Sequence, residues 1–237
     1  AVMNSRVSDR DHLAWDDIQG AYTLYGANVA GAAVPFPPRN ETFDFRGPAG
    51  RIEAGLMTPA TAPVAAAVVC HAHPLHGGMM HFKVVFRAAK ALQSAGVAVL
   101  RFNFRGVGRS EGVHDHGRGE QEDARAALFE VQDRFAGLPL VLGGFSFGSV
   151  VALRVAARDP RVGAAFALGY PLALGGDHSH LAGVAAPRLF VQGANDAFGS
   201  AEALRELVLP LPPPRELVVL EGADHFFEGR LDELQGA

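Results

Sequence analysis

Leu140-Val141-Leu142-Gly143-Gly144-Phe145-Ser146-Phe147-Gly148-Ser149 passes without a break from an apolar run of strand length into a helical pattern carried by Val150, Val151, Leu153 and Val155. The stretch reads as strand, tight turn and helix. A serine held on such a turn needs small residues two before and two after it, because strand and helix backbones close on each other there. Gly144 and Gly148 occupy those places. The geometry lifts Ser146 Oγ above the sheet and turns the free N–H groups of the helix N-terminus toward any oxyanion formed beside it. Ser146 is therefore a candidate nucleophile and the Phe147 amide a candidate oxyanion donor. The plainer alternative, a helix-capping serine after a glycine turn, stays open at this point, since G-x-S-x-G is a weak pattern in a chain with 28 glycines.

Working outward, apolar runs of strand length alternate with amphipathic helical patterns. Strands are expected at Val64 to Cys70, Val97 to Phe104, Gly163 to Leu168, Arg188 to Gln192 and Glu216 to Leu220. Helices are expected at Phe82 to Ala95, with Val85, Phe86, Ala89 and Leu92 on the buried side, from Glu120 to Phe135, from Phe147 to Asp159-Pro160, near His178 to Ala182, at Ala201 to Val208, and from about Arg230. Glu120, Glu122 and Asp123 suit a first helical turn, where acidic groups complement the macrodipole. Glu41 to Arg46 and Arg51 to Thr58 flank Gly47-Pro48-Ala49-Gly50 and read as an opening antiparallel hairpin. Strict alternation of buried strand and helix implies an α/β fold with a mostly parallel sheet covered on both faces. Residues 1–38 lack periodicity, end in Pro35-Phe36-Pro37-Pro38, and read as an extension preceding a single domain over 39–237.

Composition narrows the partners. The chain has 237 residues, 49% hydrophobic and 19% charged, with net charge -4, which offers no basic surface for nucleic acid. No apolar run approaches the ~20 residues of a membrane span. The lone Cys70 cannot form an internal disulfide and fits a reducing compartment, so a soluble cytoplasmic protein is expected. Ala21 to Val34 invites a signal-peptide reading, but Asp9, Asp11, Asp16 and Asp17 precede it and polar residues interrupt it; Ala1 in place of methionine reads as a processed or engineered start.

In an open α/β sheet functional groups collect where strands end. Gly193-Ala194-Asn195-Asp196 follows one late strand and Gly222-Ala223-Asp224-His225 the next. Nucleophile, acid and histidine thus occur in the order Ser146, Asp196, His225, each after a separate strand. Asp177 is the rival acid, and Asp224 a poorer one because neighbours in a loop point apart. His225 is preferred among the 10 histidines because it alone lies past the acid. His71, His73 and His76 form H-x-H-x-x-H after a strand, the first ligand segment of metallo-β-lactamase-type hydrolases, so metal-dependent hydrolysis is the rival chemistry. Leu75 stands where those enzymes carry aspartate. The alternative use of this loop is a second oxyanion amide; Pro74 has none, which leaves Leu75. Gly106-Val107-Gly108-Arg109-Ser110-Glu111-Gly112 approaches a dinucleotide-binding turn, but its third glycine falls one residue late and acidic neighbours oppose a pyrophosphate.

With the loops His71 to Gly78 (H-x-H-P-x-x-G-G) and Asn103 to Gly112 (N-F-R-G-x-G-x-S-x-G), the serine turn, Asp196 and His225, the chain from about Glu41 to Leu234 resembles the α/β-hydrolase superfamily, in particular small lidless bacterial serine hydrolases. The resemblance implies an eight-stranded sheet, a Ser-His-Asp mechanism and no cofactor. Only nineteen residues separate Leu168 from Arg188, too few for a helical cap domain. The short last helix leaves the packing of one sheet face open, and with it dimerisation. The expected activity is cleavage of small acyl esters, with His76, Phe145, Leu172 and Phe198 near the mouth. Thioesterase, peptidase or acyltransferase activity on the same triad, and a non-catalytic binding module, remain alternatives.

Overall fold

A computed structural model describes residues 5–7 and 40–237. Of the expected extension only 5–7 is described; the Pro35–Pro38 connector and the signal-like segment lie outside the described residues. The opening hairpin pairs β2 (Asn40–Gly47) with β3 (Gly50–Met57) in unbroken antiparallel register. β4 (Ala65–Cys70), β5 (Val97–Phe102), β6 (Leu140–Phe145), β7 (Val162–Leu168), β8 (Arg188–Gly193) and β9 (Arg215–Leu220) form the parallel part. These eight strands match the expected sheet. A ninth, β1 (Ser5–Val7), pairs antiparallel with β9 and covers its outer edge. Three residues of edge strand carry no periodic signal, which is why a sequence reading passes over them.

The strand order β1-β9-β8-β7-β6-β4-β5-β3-β2 places β4 between β5 and β6, both parallel to it. β4 is the switch point of the sheet, with the chain passing to β5 on one side of it and to β6 on the other, and functional groups collect at the carboxyl ends of strands at such a point. Side chains alternate strictly across β4. Ala66, Val68 and Cys70 enter one core cluster with α2 (Gly119–Arg134), α3 (Phe147–Ala156) and α4 (Ala201–Val208). Ala65, Ala67 and Val69 enter the other with α1 (Lys83–Ser94) and α5 (Leu231–Gly236). Short α5 closes its face through buried Leu234, and Arg87 of α1 holds Asp232 at 2.8 Å and Gln235 at 3.1 Å. Between β7 and β8 there are only 3₁₀ turns, Leu172–Leu174 and Ser179–Gly183, and no cap domain.

Two helices differ from their expected faces. On α1 the buried side chains are Val84, Val85, Ala88, Ala89 and Gln93, while Phe86 is 42% exposed and lies 5.2 Å from the Arg101 guanidinium. The apolar stripe is rotated because buried Gln93 donates to the Thr58 carbonyl at 2.8 Å and so faces inward. On α2, Glu120 and Asp123 are fully buried rather than merely flanking a dipole. Glu120 accepts the Asp115 and Gly117 amides at 2.8 and 2.7 Å, and Asp123 takes Arg105 in a fork, Nε to Oδ2 at 2.9 Å and Nη2 to Oδ1 at 2.7 Å. Gly106, Gly108 and Gly112 all have positive φ; a Cβ on Gly108 would stand 2.4 Å from Glu53 Oε2, so this loop is a tight structural turn.

Candidate active site

At the end of β6 the chain reverses through Ser146, at φ 54° and ψ -122°, a strained conformation for a residue with a Cβ. The glycines around it permit the turn. A Cβ on Gly144 would meet the Gly148 backbone at 2.5 Å, and one on Gly148 would meet the Cys70 and His71 carbonyls at 2.4 Å. Both backbones therefore touch, and the first residues of α3 sit directly over the end of β4. The Ser146 amide is fixed to the Leu168 carbonyl at 2.9 Å. Phe147 opens α3, so its amide has no intrahelical acceptor.

Ser146, Asp196 and His225, far apart in sequence, converge. His225 Nε2 lies 2.9 Å from Ser146 Oγ and its Nδ1 2.8 Å from Asp196 Oδ2. The network assigns the tautomer: Nδ1–H donates to the carboxylate, leaving Nε2 to accept the serine proton. All three residues are at most 8% exposed. Asp196 also accepts the Phe198 amide on Oδ1 at 2.8 Å and Gln192 Nε2 on Oδ2 at 2.9 Å. The rival acids are committed elsewhere. Asp224 accepts the Phe226 and Glu228 amides of its own loop, and Asp177 holds Ser179 through its amide and hydroxyl.

Gln192, which reads in the sequence as part of an apolar strand, braces the Asp196 loop. Fully buried, it accepts the Tyr170 amide at 2.8 Å and donates to Asp196 and to the Gly199 carbonyl at 2.7 Å, tying the acid loop to the loop after β7. Its only sequence signal is a polar side chain within an otherwise apolar strand end. Gly169 packs its backbone against the same group: a Cβ there would meet Phe145 at 3.1 Å and His225 at 3.3 Å.

The remaining expected site residues separate into two groups. Phe145 is fully buried, stacked on Phe82 at 5.6 Å with His225 5.1 Å above it; it supports the histidine from beneath and does not line the mouth. It ends the strand with its side chain toward the sheet core, where alternation puts it. Leu75 has its side chain 69% exposed, and its amide donates to His73 Nδ1 at 3.2 Å, so the turn Pro74–His76 uses internally the donor expected to face an oxyanion. Phe198 reaches the site, 4.5 Å from the His225 ring and partly exposed. Leu172 packs half-buried against the core, and His76 is exposed and stacked on His73 at 4.5 Å. Phe226, unremarked in sequence, stands edge-on to His225 at 5.2 Å.

The three histidines after β4 do not converge as ligands. His71 is buried with both ring nitrogens engaged, Nδ1 at 2.6 Å from the Ala72 carbonyl and Nε2 accepting the Phe104 amide at 3.0 Å, and it pins the two loops together. Among the described residues no group of three or more His, Cys, Asp or Glu is arranged to hold a metal ion. Burial pushes the His71 pKa down to about 4 from its ordinary 6.5. Between those values the unfolded chain binds a proton that the folded protein refuses. The stability His71 contributes is therefore complete above pH ~6.5 and declines as pH falls toward 4, by up to roughly 3 kcal/mol. Urea midpoints from pH 7 to 4 are expected to fall more steeply for the native chain than for His71→Gln; parallel curves would contradict this assignment.

Cys70 is a buried free thiol whose pKa burial raises, and it serves as core filler. Among the described residues no helix is long and apolar enough to cross a membrane.

Comparison with known proteins agrees with this architecture. A protein of Rickettsia prowazekii with no assigned function is 41% identical over 203 residues, 81% of this chain and 84% of its own. The structure of an α/β serine hydrolase homologue from Coxiella burnetii is 39% identical and covers 83% of this chain and 94% of its own, with a TM-score of 0.76. A serine hydrolase without a lid from Xanthomonas campestris is 36% identical, covers 86% of this chain and 94% of its own, and superposes with a TM-score of 0.78. Residues 64–234, from the first parallel strand to the last helix, match the family model described as an alpha/beta hydrolase domain. The chain belongs to the α/β-hydrolase family and is a hydrolase, with no cap domain among its described residues.

Proposed function

We propose that this protein is a serine carboxylester hydrolase acting through Ser146, His225 and Asp196. The observation that carries the reading is the unbroken hydrogen-bonded line from Ser146 Oγ through both nitrogens of His225 to Asp196, at 2.9 and 2.8 Å, on a turn that holds the serine at positive φ. His225 Nε2 takes the Ser146 proton as Oγ bonds to the acyl carbon. The carbonyl electron pair moves to oxygen, where the Phe147 amide meets it. As the intermediate collapses, the carbon–oxygen bond to the alcohol breaks and His225 returns the proton to that oxygen. Water then enters, gives its proton to Nε2, and the acyl-serine is cleaved by the reverse sequence. Asp196 holds the tautomer and offsets the imidazolium charge; Gln192 keeps Asp196 in place.

The imidazole acts as a base only when neutral, so turnover falls in acid. The short turns between β7 and β8, with no cap domain there, favour small esters. Stopped-flow mixing with p-nitrophenyl acetate is expected to give a burst of p-nitrophenolate equal to the enzyme concentration, followed by slower turnover. Steady release with no covalent acetyl-enzyme under rapid acid quench, or no release at any pH, would count against the acyl-enzyme route. Thioester, peptide and acyl-transfer chemistry would enter the same intermediate, and replacing the p-nitrophenyl ester by the thioester or anilide of the same acid separates them.

A further inference from the structure

The geometry around His225 points to the half of the ester that this site selects, an inference that rests on the serine-hydrolase reading. His225 must hand its proton to the departing alcohol oxygen, which places that oxygen within about 2.6–3.2 Å of Nε2. The first atoms of the alcohol therefore lie against the open edge of the imidazole, whatever the acid. Two partly exposed aromatic rings pack against this imidazole. Phe198 lies 4.5 Å from the imidazole centroid and is 37% exposed; Phe226 lies 5.2 Å away and is 48% exposed. Each is anchored by its own backbone, the Phe198 amide to Asp196 Oδ1 at 2.8 Å and the Phe226 amide to Asp224 Oδ1 at 3.0 Å. Phe226 is further braced by Phe82 at 6.1 Å and Phe145 at 6.3 Å. These rings hold exposed apolar surface in fixed positions beside the proton donor, which is what an apolar group on the alcohol would cover.

The surroundings of Phe147 differ in chemistry. The Phe147 ring, next to the oxyanion amide, is bordered by the His73 ring at 4.9 Å and the His114 ring at 5.7 Å, and these continue to His76 and His116 at 4.5 and 5.1 Å. Polar imidazole edges disfavour a bare hydrocarbon acyl chain there, with His73 Nδ1 accepting the Leu75 amide and His114 Nδ1 2.9 Å from Glu120 Oε1. We propose that Phe198 and Phe226 form the leaving-group site, and that the enzyme selects esters of aryl-methyl or similar aromatic alcohols with short acyl groups.

Benzyl acetate and methyl phenylacetate are isomers that place the same ring on opposite sides of the ester. Each kcat/KM is divided by that ester's rate of alkaline hydrolysis to remove intrinsic reactivity. Benzyl acetate is expected to be favoured tenfold or more, and in the double variant Phe198→Leu/Phe226→Leu the ratio is expected to fall toward one. A wild-type ratio at or below one overturns the proposal, as does a ratio kept in the double variant. If Ser146 is labelled by a fluorophosphonate but neither ester turns over, this assignment fails and the serine mechanism stands. If Ser146 is not labelled either, the underlying reading fails with it.

Discussion

Ser146→Ala and His225→Ala are each expected to lower kcat for p-nitrophenyl acetate by on the order of 10⁴–10⁶, and the double variant by no more than either single change. The reason lies in the proton path. Among the described residues Ser146 Oγ has one base within reach, His225 Nε2 at 2.9 Å, and the imidazole has no reacting partner once the hydroxyl is gone. The two residues act as a unit, so their losses do not add. Asp196→Ala is expected to cost less, roughly 10⁴, because Oγ and Nε2 remain and only the tautomer and the imidazolium lose support. Single-turnover kinetics on variants that keep the native circular dichroism spectrum check this. Losses of the two single variants that multiply in the double variant would mean that serine and histidine work in separate steps.

Arg105→Met is expected to destabilise the fold by about 3–5 kcal/mol. Asp123 is fully buried, and apart from the Arg105 amide its partners are the two guanidinium nitrogens. Removing the guanidinium leaves a carboxylate under α2 with no countercharge, and breaking a buried pair costs more than the pair contributes. The double variant Arg105→Met/Asp123→Leu is therefore expected to recover part of the loss. Urea denaturation of the three proteins tests it: a single variant within about 0.5 kcal/mol, the range of a neutral surface change, would show the pair to be unimportant to stability. The effect bears on function because this pair anchors the Asn103–Gly112 loop, whose Phe104 amide is gripped by His71 beside the serine turn.

The sequence carries the sheet and the serine, acid and histidine unusually openly. Strands buried on both faces are continuous apolar runs, and strand-end loops are where chemistry-bearing residues stand, so Ser146, Asp196 and His225 emerge as candidates from their places after separate strands, and the structure brings the three within hydrogen-bond reach. What a linear reading loses is orientation. Phe145 and Phe226 are equally aromatic neighbours of site residues, yet one turns into the core and the other outward. The Leu75 amide is spent on His73 within a single 3₁₀ turn, a matter of backbone torsion that no residue type announces. Gln192 and Asp123 look like a strand residue and a helix-start acid; their partners, Asp196 and Arg105, come from other segments, and only folding brings them together. β1 escapes because three paired edge residues leave no pattern to count.

The central claim, that Ser146 is a nucleophile activated by His225, has one direct measurement. The purified protein is treated with a fluorophosphonate, digested, and the adduct located by mass spectrometry, in the native chain and in His225→Ala. A single stoichiometric adduct on Ser146 is expected in the native chain, and its loss in His225→Ala. An adduct on a different residue, or a native chain that stays unlabelled while it still hydrolyses p-nitrophenyl acetate, would contradict it.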